Sequence, residues 1–248
     1  MKKIKIISLL LSMLVVVSAF AGCSGNSKVL VVGTNAEFPP FEFLNDKGEP
    51  DGFDIALIKE AAALAEIEVK IENMEFKSLI AAIETGKINI IASGMTVTDE
   101  RKKQLDFTDP YYTAVQKIVL RNGDDSIKGV EDLAGKKIGV QEGTTGDFIA
   151  SDEIADSNVA RYKKGVDAVM DLKNDRIDCV LIDKNPAEEY VKANSDSVYS
   201  IESGCDPEDY AFAVKKGNTE LLDKLNAALK ELKSNGRYDE LVKLYINN

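Results

Sequence analysis

Apolar residues come in short runs whose period alternates along the chain. Residues 29–32 are unbroken apolar positions ending at Gly33, the pattern of a strand covered on both faces. Over 54–65 the period lengthens, and Ile55, Leu57, Ile58, Ala61, Ala62 and Ala65 gather largely along one helical face. A short strand at 69–71 follows, then a helix at 76–84 with Leu79, Ile80 and Ile83 apolar and Gly86 closing it, then a strand at 88–91. This order calls for a parallel sheet with helices on both faces. The alternation restarts after Tyr112: strands at 137–140, 159–162 and 180–182, helices at 145–150 and 166–173, and a further helix opened by Asn185-Pro186. Strands expected at 116–120 and 210–214 flank this second unit like hinges. Helices at 219–233 and 238–245, split at Asn235-Gly236, then return to the first unit. The expectation is an α/β protein, and its length suits either one large domain or two small lobes. Divided at the hinge strands, it gives a lobe 1 of residues 29–113 plus 213–248 and a lobe 2 of 114–212, each a mostly parallel sheet flanked by helices. In open α/β sheets ligands bind beyond the carboxyl ends of strands, and Asn35, Ser93, Gly94, Gln141 and Asp183 all follow expected strands.

The first residues follow a different pattern. Lys2, Lys3 and Lys5 precede an apolar stretch over 6–20 interrupted only by serines, which reads as an export signal too short for a comfortable membrane span. It ends in Phe20-Ala21-Gly22-Cys23, which resembles a bacterial lipoprotein cleavage site with Cys23 as the lipidated first mature residue. An ordinary secretory peptide with an incidental cysteine is the alternative. The expected division is therefore a signal peptide at 1–22 and a polar tether at 23–28. Removing the first 22 residues takes away three lysines and no acids, moving the net charge from −11 to −14. Such a surface repels nucleic acid and anionic lipid, so membrane attachment is expected from the lipid on Cys23 alone. The chain has no histidine and no CxxC pair, which removes the usual zinc sites and the Ser-His and Cys-His hydrolase sets. No metal or cofactor is expected. Cys179 and Cys205 remain, either as a disulfide or as free thiols.

Residues 93–112 read SGMTVTDERKKQLDFTDPYY. Arg101 there can grip a carboxylate through two parallel hydrogen bonds, with Ser93, Gly94, Thr96 and Thr98 supplying N–H and hydroxyl groups. The same stretch also reads as a plain helix start, with Thr98 as N-cap and Asp99 and Glu100 in the first turn. Taken with NAEFPPFEF at 35–43, GFDIALIKE at 52–60, GKKIGVQEGTTGD at 135–147 and DCVLID at 178–183, the segment resembles the polar amino-acid family of bacterial extracellular solute-binding proteins, the receptors of ABC importers. The resemblance runs from about Val29 to the C-terminus. It implies the two-lobed periplasmic-binding-protein-like fold of type II, with the ligand in the interlobe cleft.

Further roles follow from that resemblance. Arg101 would hold the ligand carboxylate, helped by the Thr96 N–H and by backbone amides of Gly143, Thr144 and Thr145. Asp183 and the Gly94 carbonyl would take the ammonium. Phe38 and Phe76 would sandwich the ligand's stem, and Asn35, Glu37, Ser93 and Gln141 would line the side-chain pocket. Asn35 stands where several basic-residue and glutamine receptors of the family carry Asp, and Gln141 where a glutamine receptor carries Lys. The expected ligand is a polar amino acid with a long side chain, arginine ahead of glutamine, delivered by cleft closure to an ABC permease in the membrane. The receptor is expected to be a monomer. An enzyme on the same scaffold, such as a dehydratase of cyclic acids using Glu37 or Glu142 as general acid, and a ligand-sensing domain are the alternatives.

Overall fold

In the computed structural model the described residues are 29–247. The signal peptide, the tether and Cys23 expected above lie outside them. The strand Leu30–Thr34 pairs in parallel with Val69–Asn73 on one side and Ile90–Ile91 on the other. Ala213–Lys215 then adds antiparallel to Ile90–Ile91, and Leu105–Phe107 adds antiparallel to it, completing a five-stranded sheet. The second sheet repeats this plan. Lys137–Gln141 lies parallel between Asn158–Tyr162 and Cys179–Asp183, while Gln116–Arg121 runs antiparallel to both Cys179–Asp183 and Val198–Glu202. In each sheet a single reversed strand, next to one edge, thus interrupts an otherwise parallel set. Between the sheets, Tyr112–Ala114 pairs antiparallel with Glu208–Tyr210, the outgoing and returning passes of the chain.

Helix Phe53–Leu64 buries Phe53, Leu57, Ile58 and Ala61 against Leu221, Leu225, Leu229 and Leu232 of helix Thr219–Ser234 and Leu241 of helix Arg237–Tyr245. The C-terminal helices thus close the first lobe. Each large apolar side chain removed from water contributes roughly 1.5–3 kcal/mol, which fixes the helix against the sheet that carries the cleft. Gly52 starts this helix at φ 123°, and a Cβ there would meet the Phe41 carbonyl oxygen at 2.3 Å. Only glycine permits both.

Several expected elements differ in extent: the strand expected at 88–91 is only Ile90–Ile91, and the helix expected at 76–84 opens as a 3-10 turn over Phe76–Ser78. The run at 210–214 is not one strand, because the chain leaves Tyr112–Ala114 after Tyr210 and joins the first sheet at Ala213; its backbone partners change between the two. The helix expected at 145–150 is the α-turn Thr145–Phe148, widened into a π-helical segment over Ile149–Glu153. A small sheet of Glu37–Phe38, Glu42–Leu44 and Pro50–Asp51, which apolar periodicity does not announce, lies under the cleft. Cys179 is a buried free thiol that burial pushes up to about 12, and Cys205 is a half-buried free thiol.

Candidate functional site

Strand ends from both sheets meet at one cavity. It is lined by Phe38, Phe76, Ser93, Gly94, Thr96, Arg101, Gln141, Thr144, Thr145 and Asp183, and it is small and partly enclosed. Asn35 does not line it. Its amide is engaged behind the wall, donating through Nδ2 to the Met74 carbonyl at 2.9 Å and accepting from Gln141 Nε2 at 2.7 Å. Glu37 and Glu142 are also outside, paired with Lys164 at 2.7 Å and Lys77 at 2.9 Å.

Arg101 sits on the short helix Asp99–Lys102, whose N-cap Thr98 accepts from the Arg101 N–H at 3.1 Å. The helix-start and carboxylate-grip readings therefore describe the same residues: the cap fixes the turn that aims the guanidinium inward. Nη1 donates to the Thr96 carbonyl at 2.8 Å and Nη2 to the Gly143 carbonyl, on the second lobe, at 3.0 Å. The cation lies over the Phe76 ring at 5.6 Å and the Phe148 ring at 5.8 Å, one from each lobe. It is only 3 % exposed, and burial lowers it to about 10 against the opposing charges of Glu208 and Asp183. Guanidinium N–H groups beyond those two bonds remain for a ligand anion.

Asp183 ends its strand at 4 % exposure, and its Oδ1 has no hydrogen-bond partner. Burial pushes its carboxyl up to about 7, with the Glu208 charge adding to the rise. A desolvated carboxylate with an open lone pair needs a cation. Gly94 stands opposite at φ 50°, where a Cβ would press on the Phe38 and Tyr210 rings at 3.4 Å, and its N–H donates to Asp54 Oδ2 at 2.7 Å. Ser93 Oγ accepts from the Asn35 N–H at 2.9 Å and donates to Glu42 Oε1 at 3.1 Å. Thr144 caps its helix and donates to the Gln141 carbonyl at 2.8 Å.

Two groups at the site escape the sequence reading. Glu208 accepts from Thr145 Oγ1 at 2.7 Å, Gln116 Nε2 at 3.3 Å and Thr96 Oγ1 at 3.4 Å, so one carboxylate ties hydroxyls of both lobes. Its only sequence signal is an acid shortly before a return strand, a common surface pattern. Phe148, 43 % exposed, lies one turn into a helix with no periodic partner to mark it. Around the mouth, Lys163 with Glu75 at 2.5 Å and the Tyr190 hydroxyl on the Glu37 carbonyl at 2.8 Å join the pairs already described in crossing between lobes.

Two lobes joined by paired crossing strands, with a small cavity between them carrying a buried cation and a buried anion, define a ligand-binding receptor of the periplasmic-binding type. Residues 30–248 match the sequence model of the bacterial extracellular solute-binding proteins, family 3, and the chain belongs to that family. It is 35 % identical over 229 residues to the arginine-binding extracellular protein ArtP of Bacillus subtilis (strain 168), covering 91 % of this chain and 89 % of that protein. Among solved structures, an ancestral arginine-binding protein bound to arginine superposes with a TM-score of 0.83 at 43 % identity, over 88 % of this chain and 98 % of the other. An ancestral arginine-binding protein bound to glutamine gives 0.81 at 42 %, over 89 % and 98 %. The family makes this chain an extracellular solute-binding protein, and the relatives just named are ones that bind arginine or were solved with arginine or glutamine.

Proposed function

We propose that this chain is a lipid-anchored receptor, attached through Cys23, that captures a polar L-amino acid with a long side chain and delivers it to an ABC permease by cleft closure. One observation carries the reading: buried Arg101 and buried Asp183, the latter with an unpartnered oxygen, line the same small cavity from opposite lobes. A zwitterion supplies a partner to each at once. Arg101 takes the carboxylate, Asp183 and the Gly94 carbonyl take the ammonium, and Phe38 and Phe76 flank the stem. Ser93 and Gln141 line the side-chain end, with Asn35 setting Gln141 from behind. Because Arg101 belongs to the first lobe, over 29–113 and 213–248, and Asp183 to the second, over 114–212, closure satisfies both charged ends and opening satisfies only one. A ligand with that differential affinity shifts the protein toward the closed form, which docks on the permease as a monomer.

Arginine is the leading ligand and glutamine the second. The acids Glu208, Glu42 and Asp54 around the site favour a cationic ligand over an anionic one, and a relative named for arginine binding agrees with that charge. A role as a catalyst has little support, since Glu37 and Glu142 are tied to lysines outside the cavity. A thermal-shift screen against the twenty amino acids tests the proposal, because a ligand of the native state raises its stability by mass action. Arginine is expected to give the largest shift. A preference for aspartate or glutamate would refute the charge argument, and no shift with any amino acid would refute the receptor reading.

A further inference from the structure

Behind the cavity wall lie two carboxyl groups that the ligand-binding arrangement does not use. Glu42, on strand Glu42–Leu44, is 1 % exposed, and Asp54, in the first turn of helix Phe53–Leu64, is fully buried. Each spends one oxygen on the wall. Asp54 Oδ2 accepts the Gly94 N–H at 2.7 Å and the Tyr111 hydroxyl at 2.5 Å, while Glu42 Oε1 accepts from Ser93, whose own oxygen holds the Asn35 N–H. Their other oxygens, Glu42 Oε2 and Asp54 Oδ1, are buried with no partner.

Among the described residues no cation offsets these groups. The titratable neighbours acting on them are one another, Asp183 beyond the wall, and the hydroxyls of Tyr111, Tyr190 and Tyr210, with Tyr238 behind Tyr111; Asp54 is the charge Glu42 feels most strongly. Two adjacent desolvated carboxylates with no counter-ion cannot both ionise near neutrality. The used oxygens already accept hydrogen bonds, so a retained proton belongs on one of the two partnerless oxygens. There it leaves one charge rather than two behind the wall, in groups tied to the consecutive residues Ser93 and Gly94.

We propose that Glu42 and Asp54 retain one proton between them, and that this acid pair is a positioning element holding Asn35, Ser93 and Gly94 in the geometry the ligand meets. Burial, which raises Glu42 well above the usual carboxylate range and Asp54 to about 7, agrees with this arrangement. The titration belongs to the pair rather than to either residue. On the receptor reading, the one negative charge that remains also stands behind the wall at the side-chain end, where it favours a guanidinium or ammonium group.

The test uses protein without ligand, so it is independent of the receptor reading. Asp183→Asn serves as background because Asp183 titrates in the same range. Infrared spectra of D183N at pH 6 are expected to show a protonated-carboxyl stretch that is missing from E42Q/D54N/D183N, where neither acid of the pair remains. Between pH 5 and 7 the folding equilibrium constant of D183N should fall as pH rises, by up to about tenfold per unit, and stay within about twofold in E42Q/D54N/D183N. A band that is absent from D183N, or that persists in the triple variant, overturns the proposal. Equal pH slopes in the two proteins overturn it as well. Should E42Q/D54N/D183N fail to fold, the D183N band alone decides.

Discussion

Replacing Asp183 by Asn separates a binding residue from a stabilising one, because the two effects have opposite signs. In this cavity the carboxyl titrates near 7 against an ordinary value of 3.8, so ionising it costs on the order of 4 kcal/mol more than in water. That cost is borne by the fold and, in the proposed role of Asp183, is offset when a ligand ammonium arrives. The neutral amide of the variant cannot form an ion pair with the ammonium, and a desolvated charge left unpaired weakens binding by about 2–5 kcal/mol, roughly 30- to 5,000-fold. The same change removes the ionisation cost. Since the folded pKa is raised, the stability lost as pH rises through about 7 returns, so at pH 8 the variant should unfold later than wild type by up to about 4 kcal/mol. Calorimetric titration with arginine and urea denaturation at pH 8 measure the two quantities. Near-normal affinity in the folded variant, or a stability loss above about 1 kcal/mol, would refute the assignment.

Arg101→Lys keeps the charge but not the planar grip on the Thr96 and Gly143 carbonyls, so affinity should drop about 100-fold in a titration with the fold intact. Asp183 and the Glu42–Asp54 pair are all raised by burial, so thermal denaturation of ligand-free protein should show stability falling from pH 5 to 8. Arginine affinity should rise over the same range and then level off, as Asp183 ionises. The rim pairs Lys77–Glu142, Lys163–Glu75 and Lys164–Glu37 are partly exposed, so raising salt from about 0.05 to 1 M should weaken binding by less than about tenfold. A hundredfold loss would place closure at the rim. Cys23→Ser should leave the protein unprocessed or release it from membranes, and wild-type protein found wholly unattached would contradict lipid anchoring.

The sheet strands were legible where burial on both faces wrote an unbroken apolar run, as at Val31 and Val32 or Val180 to Ile182. The C-terminal helices were legible from their apolar stripe. The strands Glu37–Phe38, Glu42–Leu44 and Pro50–Asp51 were not, because their side chains serve the cleft floor and a helix start rather than one apolar face. Arg101 and Asp183 could be proposed from position after strands and from resemblance. Glu208 could not, since its role depends on Thr96, Gln116 and Thr145, which only the folded crossing brings together. Glu42 and Asp54 did carry a signal. Acids set between phenylalanines and isoleucine are candidates for burial, yet Asp54 equally suits the first turn of a helix.

The placement of Ala213–Lys215 inside the first sheet, between Ile90–Ile91 and Leu105–Phe107, orders assembly in time. Every strand of the second sheet lies between Gln116 and Glu202, so that lobe can complete its pairing while later residues are still emerging. The first sheet cannot. The edges of Ile90–Ile91 and Leu105–Phe107 wait for a strand about a hundred residues downstream, and the apolar face of helix Phe53–Leu64 waits for the helices after it. Loop closure over that separation makes the first lobe the slow step, so nascent chains should acquire protection in the second lobe before the first. A chain that cannot finish its first sheet until its last helices arrive keeps that part unfolded, and therefore threadable through a narrow conduit, until almost all of it has emerged.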